Sequence, residues 1–381
     1  MSCVKSLFDL ATNVFVRHVN LLCVHTEAIP PVLYECLLKA SMETDRILSI
    51  RHIFLSWPLQ KLSLVDCREF KEQYALVLAH SLQSGCNKLR EIDLTGCNIG
   101  VRGTTLLLML AAGQSLPNIT EYCSNKDTTN KHTAVDKNKD RSDRLSITTN
   151  CYVDENNYEL FLDVLEGDDV IYDFTVSYFY AIALGLIRIE KILKALAIVQ
   201  AESVIGLDLR MNDLPVLLEN RPRCYKSLGR FSSLKYLNLS MNLIAFTIFF
   251  VLKHISAPLT HLILNNCSIN AGHVYVDFAR VATLPCIQKL EHLEIANNQF
   301  KEIGEGLMKL LKKCSGTLSF LSLEGNCLTD TDVPIILQLL EAPFVLETLH
   351  IGKNNFSINS ERLLYSKDKL HKIEDIEVTE K

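Results

Sequence analysis

One phrase recurs along this chain: Leu, two residues, Leu, one residue, Leu, two residues, Asn or Cys, one residue, an apolar residue. The cleanest copies start at Val204, Leu234, Leu259, Leu290, Leu318 and Leu346. An earlier copy reads Leu89, Ile92, Leu94, Cys97, Ile99, and a partial one Leu59, Leu62, Leu64, Cys67. In the copy from Leu318, Leu321 and Leu323 alternate as in a short strand, and Asn326 and Leu328 follow. No such unit can bury its apolar side alone, so the units must stack into a curved rod with a long face for another protein.

This is the leucine-rich repeat. The second leucines, Leu207, Leu237, Leu262, Leu293, Leu321 and Leu349, lie 30, 25, 31, 28 and 28 residues apart. Each strand is followed by an apolar stretch of helical length. Ile303, Leu307, Leu310 and Leu311 form such a stripe, at i, i+4, i+7 and i+8. The expected fold is an α/β leucine-rich repeat solenoid, a horseshoe like the ribonuclease-inhibitor type, with a short N-terminal helical segment. The Asn or Cys at the strand end is expected to satisfy backbone groups where the chain turns away from the parallel ladder. Cys67, Cys97 and Cys267 hold that position, which accounts for three cysteines without redox chemistry.

Composition narrows the class. Of 381 residues, 48% are hydrophobic, enough for a large core, and the net charge of −5 gives no basic field to draw the protein to nucleic acid. Thirteen cysteines, an odd number without short paired spacing, argue for free thiols in a reducing cell rather than a secreted disulfide framework. Lys5, Asp9 and Arg17 interrupt the early apolar residues, so no secretory signal is expected. The longest apolar run, Tyr178 to Ile187, is too short to span a bilayer and reads as a buried helix. The expected location is the cytoplasm, with the nucleus possible.

Residues 1–58 carry no repeat phrase and read as a helical segment with Pro30-Pro31 inside it and Trp57-Pro58 at its end. Residues 59–381 form the repeat domain. Within it, 118–144 is rich in Lys, Asp, Asn and Thr and reads as a disordered loop. From Leu145 to Gln200 the repeats degenerate: LSITTNCYV and VIYDFTV read as strands, and SYFYAIALGLIRIEKILKALAIVQ as one or two helices.

No phosphate-binding loop, His-Glu-x2-His, EF-hand loop or Gly-x-Ser-x-Gly elbow is present, so no enzyme, metal or cofactor is expected. The working surface is expected on the concave strand face. Strand alternation turns outward Asp208, Arg210, Tyr236, Asn238, His261, His292, Glu294, Phe320, Glu324 and His350. His261 and His292 occupy equivalent places in consecutive repeats; chance register is the favoured reading over a metal half-site or a pH sensor with Glu294 nearby. Near the N-terminus, Leu7, Ala11, Val14 and Phe15 recur at helical spacing, which suits either insertion into a partner's groove or a plain cap on the solenoid.

The succession SLFDLATNVF, AIPPVLYECLLKASM, LSWPLQKLSL and the ending GTLSFLSLEGNCLTDTDVPIILQLL with LETLHIGKNNFS resembles the PRAME family of leucine-rich repeat proteins. The likeness runs from residue 6 to about 360 and is closest to its leucine-rich-repeat-containing 14 branch. The resemblance implies a non-catalytic substrate-recognition adaptor of a cullin-RING ubiquitin ligase. Its partners would be elongin C with elongin B, a cullin and an unknown protein substrate, with neither nucleic acid nor membrane. It further implies an elongin-binding box at Leu7, Ala11 and Phe15, where Ala11 stands for the commoner cysteine, and a cullin-selecting box at Ile29, Pro30, Leu33 and Leu37. The alternative is a repeat scaffold that regulates a signalling pathway, such as NF-κB, by binding alone.

Overall fold

The computed structural model describes residues 7–85, 88–117, 144–167, 169–214, 223–244, 247–269, 275–341, 344–367 and 373–374. The predicted loop at 118–144 lies almost wholly outside them. The chain divides into two compact units, 1–178 and 179–381.

The first unit opens with four helices, α1 (Leu7–Arg17), α2 (Val19–His25), α3 (Tyr34–Glu43) and α4 (Ile47–Leu55). β1 (Lys61–Ser63), α5 (Glu72–Gln83), β2 (Glu91–Leu94), α6 (Gly100–Ala111), β3 (Ser146–Val153) and α7 (Tyr158–Glu166) follow, and β4 (Asp173–Ala181) runs over the boundary. β1, β2 and β3 pair in parallel, with Leu62 beside Ile92 and Ile92 beside Ile147. All three side chains are buried. Trp57 ties the helical segment to the first strand: it is buried edge-on against Tyr34, and its Nε1 donates to the Lys61 carbonyl at 3.1 Å.

The second unit alternates α8 (Leu186–Val199), β5 (Gly206–Asp208), α9 (Arg223–Leu228), β6 (Tyr236–Asn238), α10 (Ile248–Leu252), β7 (His261–Ile263) and α11 (Tyr275–Val281). It continues through β8 (His292–Glu294), α12 (Glu305–Lys313), β9 (Phe320–Ser322), α13 (Val333–Leu339), β10 (Thr348–His350), α14 (Ile358–Lys367) and β11 (Ile373–Glu374). Strands β5 to β11 pair in chain order, all parallel. Leu207, Leu237, Leu262, Leu293, Leu321 and Leu349 stand in one register and are all buried. This is the expected α/β leucine-rich repeat solenoid.

The strand-end residue does what its chemistry allows. Asn242 is 1% exposed; its Nδ2 donates to the carbonyls of Leu209 (2.9 Å) and Leu239 (2.8 Å). Its Oδ1 accepts from the backbone N–H of Asn212 (2.9 Å) and Leu214 (3.1 Å). Asn298, Asn326 and Asn354 bond their neighbouring repeats likewise. At Cys97 and Cys267 the thiol donates to the carbonyls of Leu64 (2.9 Å) and Leu239 (3.3 Å). The residue before several of these positions takes the left-handed conformation, as at Met211, Met241, Asn297 and Lys353. In the repeat with Asn326 that residue is Gly325, at φ +62°, where a Cβ would collide with Asn297 Oδ1.

Two segments depart from the sequence reading. The run from Tyr178 is not a helix: β4 continues to Ala181, and α8 starts only at Leu186, after Gly185 at φ +85°. Val176, Phe179 and Ala181 are buried in a segment crowded with aromatic and β-branched residues, which suits a pleated surface. The sequence beyond Phe356 reads as a short helix at best, whereas α14 is followed by β11, paired in parallel with β10. Among the described residues no helix is long and apolar enough to cross a membrane.

Candidate interaction surfaces

The N-terminal surface is built by α1 folding back on α3. Thr12 and Val16 form the buried seam of α1, and Ser49 of α4 donates to the Val16 carbonyl at 2.6 Å. That rotation leaves Ala11 exposed and Phe15 half-buried, facing the segment between α2 and α3. Pro30, which precedes a proline, is held extended at ψ 136°, so helical structure starts only at Pro31; Pro31–Leu33 is a 3-10 turn and α3 begins at Tyr34. Ala11, Phe15, Ile29, Pro30, Leu33 and Leu37 thus line one pocket of about 390 Å³. Six of the seven residues assigned by resemblance to two separate boxes converge on one cavity. The side chain of the seventh, Leu7, lies outside the described residues.

Two further apolar residues of α1, Leu10 and Val14, are 50% and 57% exposed. They stand at i and i+4, one turn apart on solvent. Both belong to the apolar face of α1 and stand on solvent because the helix buries its other side, the one that carries Thr12 and Val16.

In the second unit, the face of the sheet opposite the buried leucines carries a continuous row of rings. Tyr236, His261, His292 and Phe320 are register neighbours on β6 to β9. Their centroids lie 6.1, 5.1 and 4.0 Å apart in turn, and the His292 and Phe320 planes are parallel within 4°. The row then steps one rung to His350 on β10, at 4.9 Å and edge-on to Phe320. Parallel neighbours about 5 Å apart place identical rungs at stacking distance, so the ladder follows from the repeat itself. Where the rings stack, His261 on His292 and His292 on Phe320, the faces turn toward one another and the edges are left for a partner.

Polar groups brace the row. His292 Nε2 and Asn265 Nδ2 lie 2.7 and 2.6 Å from the two Glu294 oxygens. The bond to His292 holds the Glu294 carboxyl below its ordinary range, against the opposing effect of burial. Burial pushes the Tyr236 hydroxyl up to about 12, with Asp208 adding to the shift. Burial, and then His292, lowers His261. Lys353 Nζ reaches Glu324 at 2.6 Å. The accessible face is smaller than strand alternation implied. Asp208 and Asn238 are 2% and 5% exposed, and their carboxylate and amide bond each other at 3.3 Å while Arg210 Nε closes on Asp208 at 2.9 Å. Those two residues support the surface and do not offer themselves to a partner.

What this arrangement can do is bind. A row of rings in contact from strand to strand has little side-chain freedom left to lose on association, and buried aromatics dominate the energy of protein interfaces. The imidazoles of His261 and His292 stack on each other, and among the described residues no group of three or more His, Cys, Asp or Glu is placed to hold a metal ion.

Repeats, parallel sheet and braced open face define a leucine-rich repeat interaction scaffold. The model of the PRAME C-terminal domain matches residues 162–377, and the chain belongs to the PRAME family. The match spans the described strands and helices of the second unit and leaves the N-terminal helices outside it. No curated protein matches the chain. Among solved structures, an internalin from Listeria monocytogenes is similar at 16% identity, over 87% of this chain and 89% of that one, with a TM-score of 0.40.

Proposed function

We propose that this chain is a cytoplasmic, non-catalytic substrate-recognition adaptor of a cullin-RING ubiquitin ligase. It holds a protein on the ring ladder of its second unit and docks to the ligase through its N-terminal helices, while other subunits perform ubiquitin transfer. The observation that carries this reading is the N-terminal pocket: residues that the family resemblance gives to elongin and cullin contacts line one apolar cavity, with Leu10 and Val14 exposed nearby. An apolar side chain that left water for such a pocket would contribute roughly 1.5–3 kcal/mol. The same convergence favours the second reading, a scaffold that regulates signalling by binding alone, in one respect: one cavity is an economical seat for one partner rather than two. Affinity purification of wild type, Ala11→Glu and Pro30→Ala, scored for elongin C and cullins, separates them. The adaptor reading expects elongin C with wild type, its loss with Ala11→Glu, and reduced cullin recovery with Pro30→Ala. Recovery of a signalling partner without elongins would favour the scaffold reading.

A further inference from the structure

One group of reactive side chains belongs to neither surface. Cys23 lies on α2, Thr26 follows as the C-cap residue of that helix, and His52 lies on α4, which packs against it. Cys23 Sγ is 3.4 Å from His52 Nδ1, and Thr26 Oγ1 is 2.7 Å from His52 Nε2.

The hydrogen bonds fix the tautomer of the imidazole. Thr26 Oγ1 lies 2.7 Å from the Leu22 carbonyl oxygen, which can only accept, so the single hydroxyl proton goes there. Oγ1 must then accept from His52, and Nε2 carries the ring proton. Nδ1 is left with a bare lone pair aimed at the Cys23 thiol. Nucleophile, base and a third group orienting the base are the recurring parts of an activated thiol. Burial, the main influence, lowers the His52 pKa, which keeps the ring neutral and able to accept a proton near neutral pH. Cys23 itself is exposed.

From this geometry we propose that Cys23 is a nucleophile under general-base control of His52, and that it is a site of covalent modification by small α,β-unsaturated carbonyl compounds. His52 Nδ1 takes the thiol proton as sulfur forms a bond to the β-carbon. The π pair of the alkene moves to the α-carbon, which recovers a proton from the imidazolium. The product is a thioether that keeps every atom of both reactants, with no oxidant and no leaving group. A neutral electrophile suits the setting: α2 carries no carboxylate, lysine or arginine, and Leu21 and Val24 on either side of Cys23 are 43% and 75% exposed. His52 touches the proton in transfer; Thr26 is a positioning residue.

Cys36 and Cys327 are also exposed, with no imidazole bonded to either among the described residues, and serve as references in the same molecule. Acrylamide, a slow unsaturated amide, is added to the full chain near neutral pH, and the adduct at each cysteine is followed by mass spectrometry. Cys23 should react about tenfold faster than Cys36 and Cys327, the low end of general-base effects because thiols ionise partly unaided. His52→Gln should bring Cys23 to within about twofold of the references and leave theirs unchanged; Thr26→Val should give an intermediate rate. A wild-type Cys23 rate within about twofold of Cys36, or an undiminished rate in His52→Gln, overturns the proposal. Should His52→Gln disturb packing, the Cys36 rate will change with it, and the wild-type comparison decides alone.

Discussion

Asn242 satisfies four buried backbone groups in two repeats with one side chain. Removing it strands donors and acceptors where water has little access, at about 1–3 kcal/mol for an unmet group. Asn242→Ala should therefore destabilise by about 2–4 kcal/mol, since relaxation rescues part of the loss. Asn242→Cys should cost less, because a thiol at this place donates to a strand carbonyl, as Cys97 and Cys267 do. Urea denaturation measures both; equal costs would mean that the donor half of the bond contributes nothing. The role of this residue was legible in the repeat phrase. The sequence offers a pH sensor at His261, His292 and Glu294 only as the lesser reading, and the direction of each shift depends on what each side chain touches. Below its ordinary 6.5, His261 takes up a proton more readily in the unfolded chain than in the fold, so stability falls as pH drops through that value. Glu294, lowered from 4.5, contributes fully above that value and loses its contribution as pH falls through the lower folded one. His261→Phe should thus gain on wild type as pH drops below 6.5, and Glu294→Gln only below 4.5. Urea midpoints from pH 8 to 3 that stayed parallel would contradict this.

At the scale of elements, the regular repeats were readable because leucine spacing sets both strand and helix. The failures came where apolar residues crowd together and period loses its meaning. Tyr178 to Ile187 fits a helix as well as a strand until the pairing of β4 is known. The buried seam of α1 passes through Thr12, so no hydrophobicity pattern would select it. Trp57 tests how the helical segment is held. It is the only tryptophan, 4% exposed, wedged on Tyr34 and bonded to β1. Trp57→Ala should cost about 3–5 kcal/mol, the usual range for removing a buried aromatic. Hydrogen exchange should show the loss first in α3, α4 and β1, with β6 to β9 protected as before. A uniform loss of protection across both units would show that the chain unfolds in one step.

For the molecule as a whole, fold and family were in the sequence, since stacking of like units leaves few alternatives. The surfaces were there only in part. Strand alternation named the ladder residues but not their stacking, nor the burial of Asp208 and Asn238. The helical spacing of Leu7, Ala11 and Phe15 was visible, but the joining of Ala11 and Phe15 with Ile29, Pro30, Leu33 and Leu37 depends on a tertiary fold-back. The docking pocket is therefore the claim to test, with purified components. Titrating the full chain with elongin B–elongin C should give a one-to-one complex. Ala11→Glu, at an exposed position, should weaken it at least about tenfold, the equivalent of 1.4 kcal/mol, with the thermal melt unchanged. No complex with wild type, or equal affinity for the two proteins, would contradict the account.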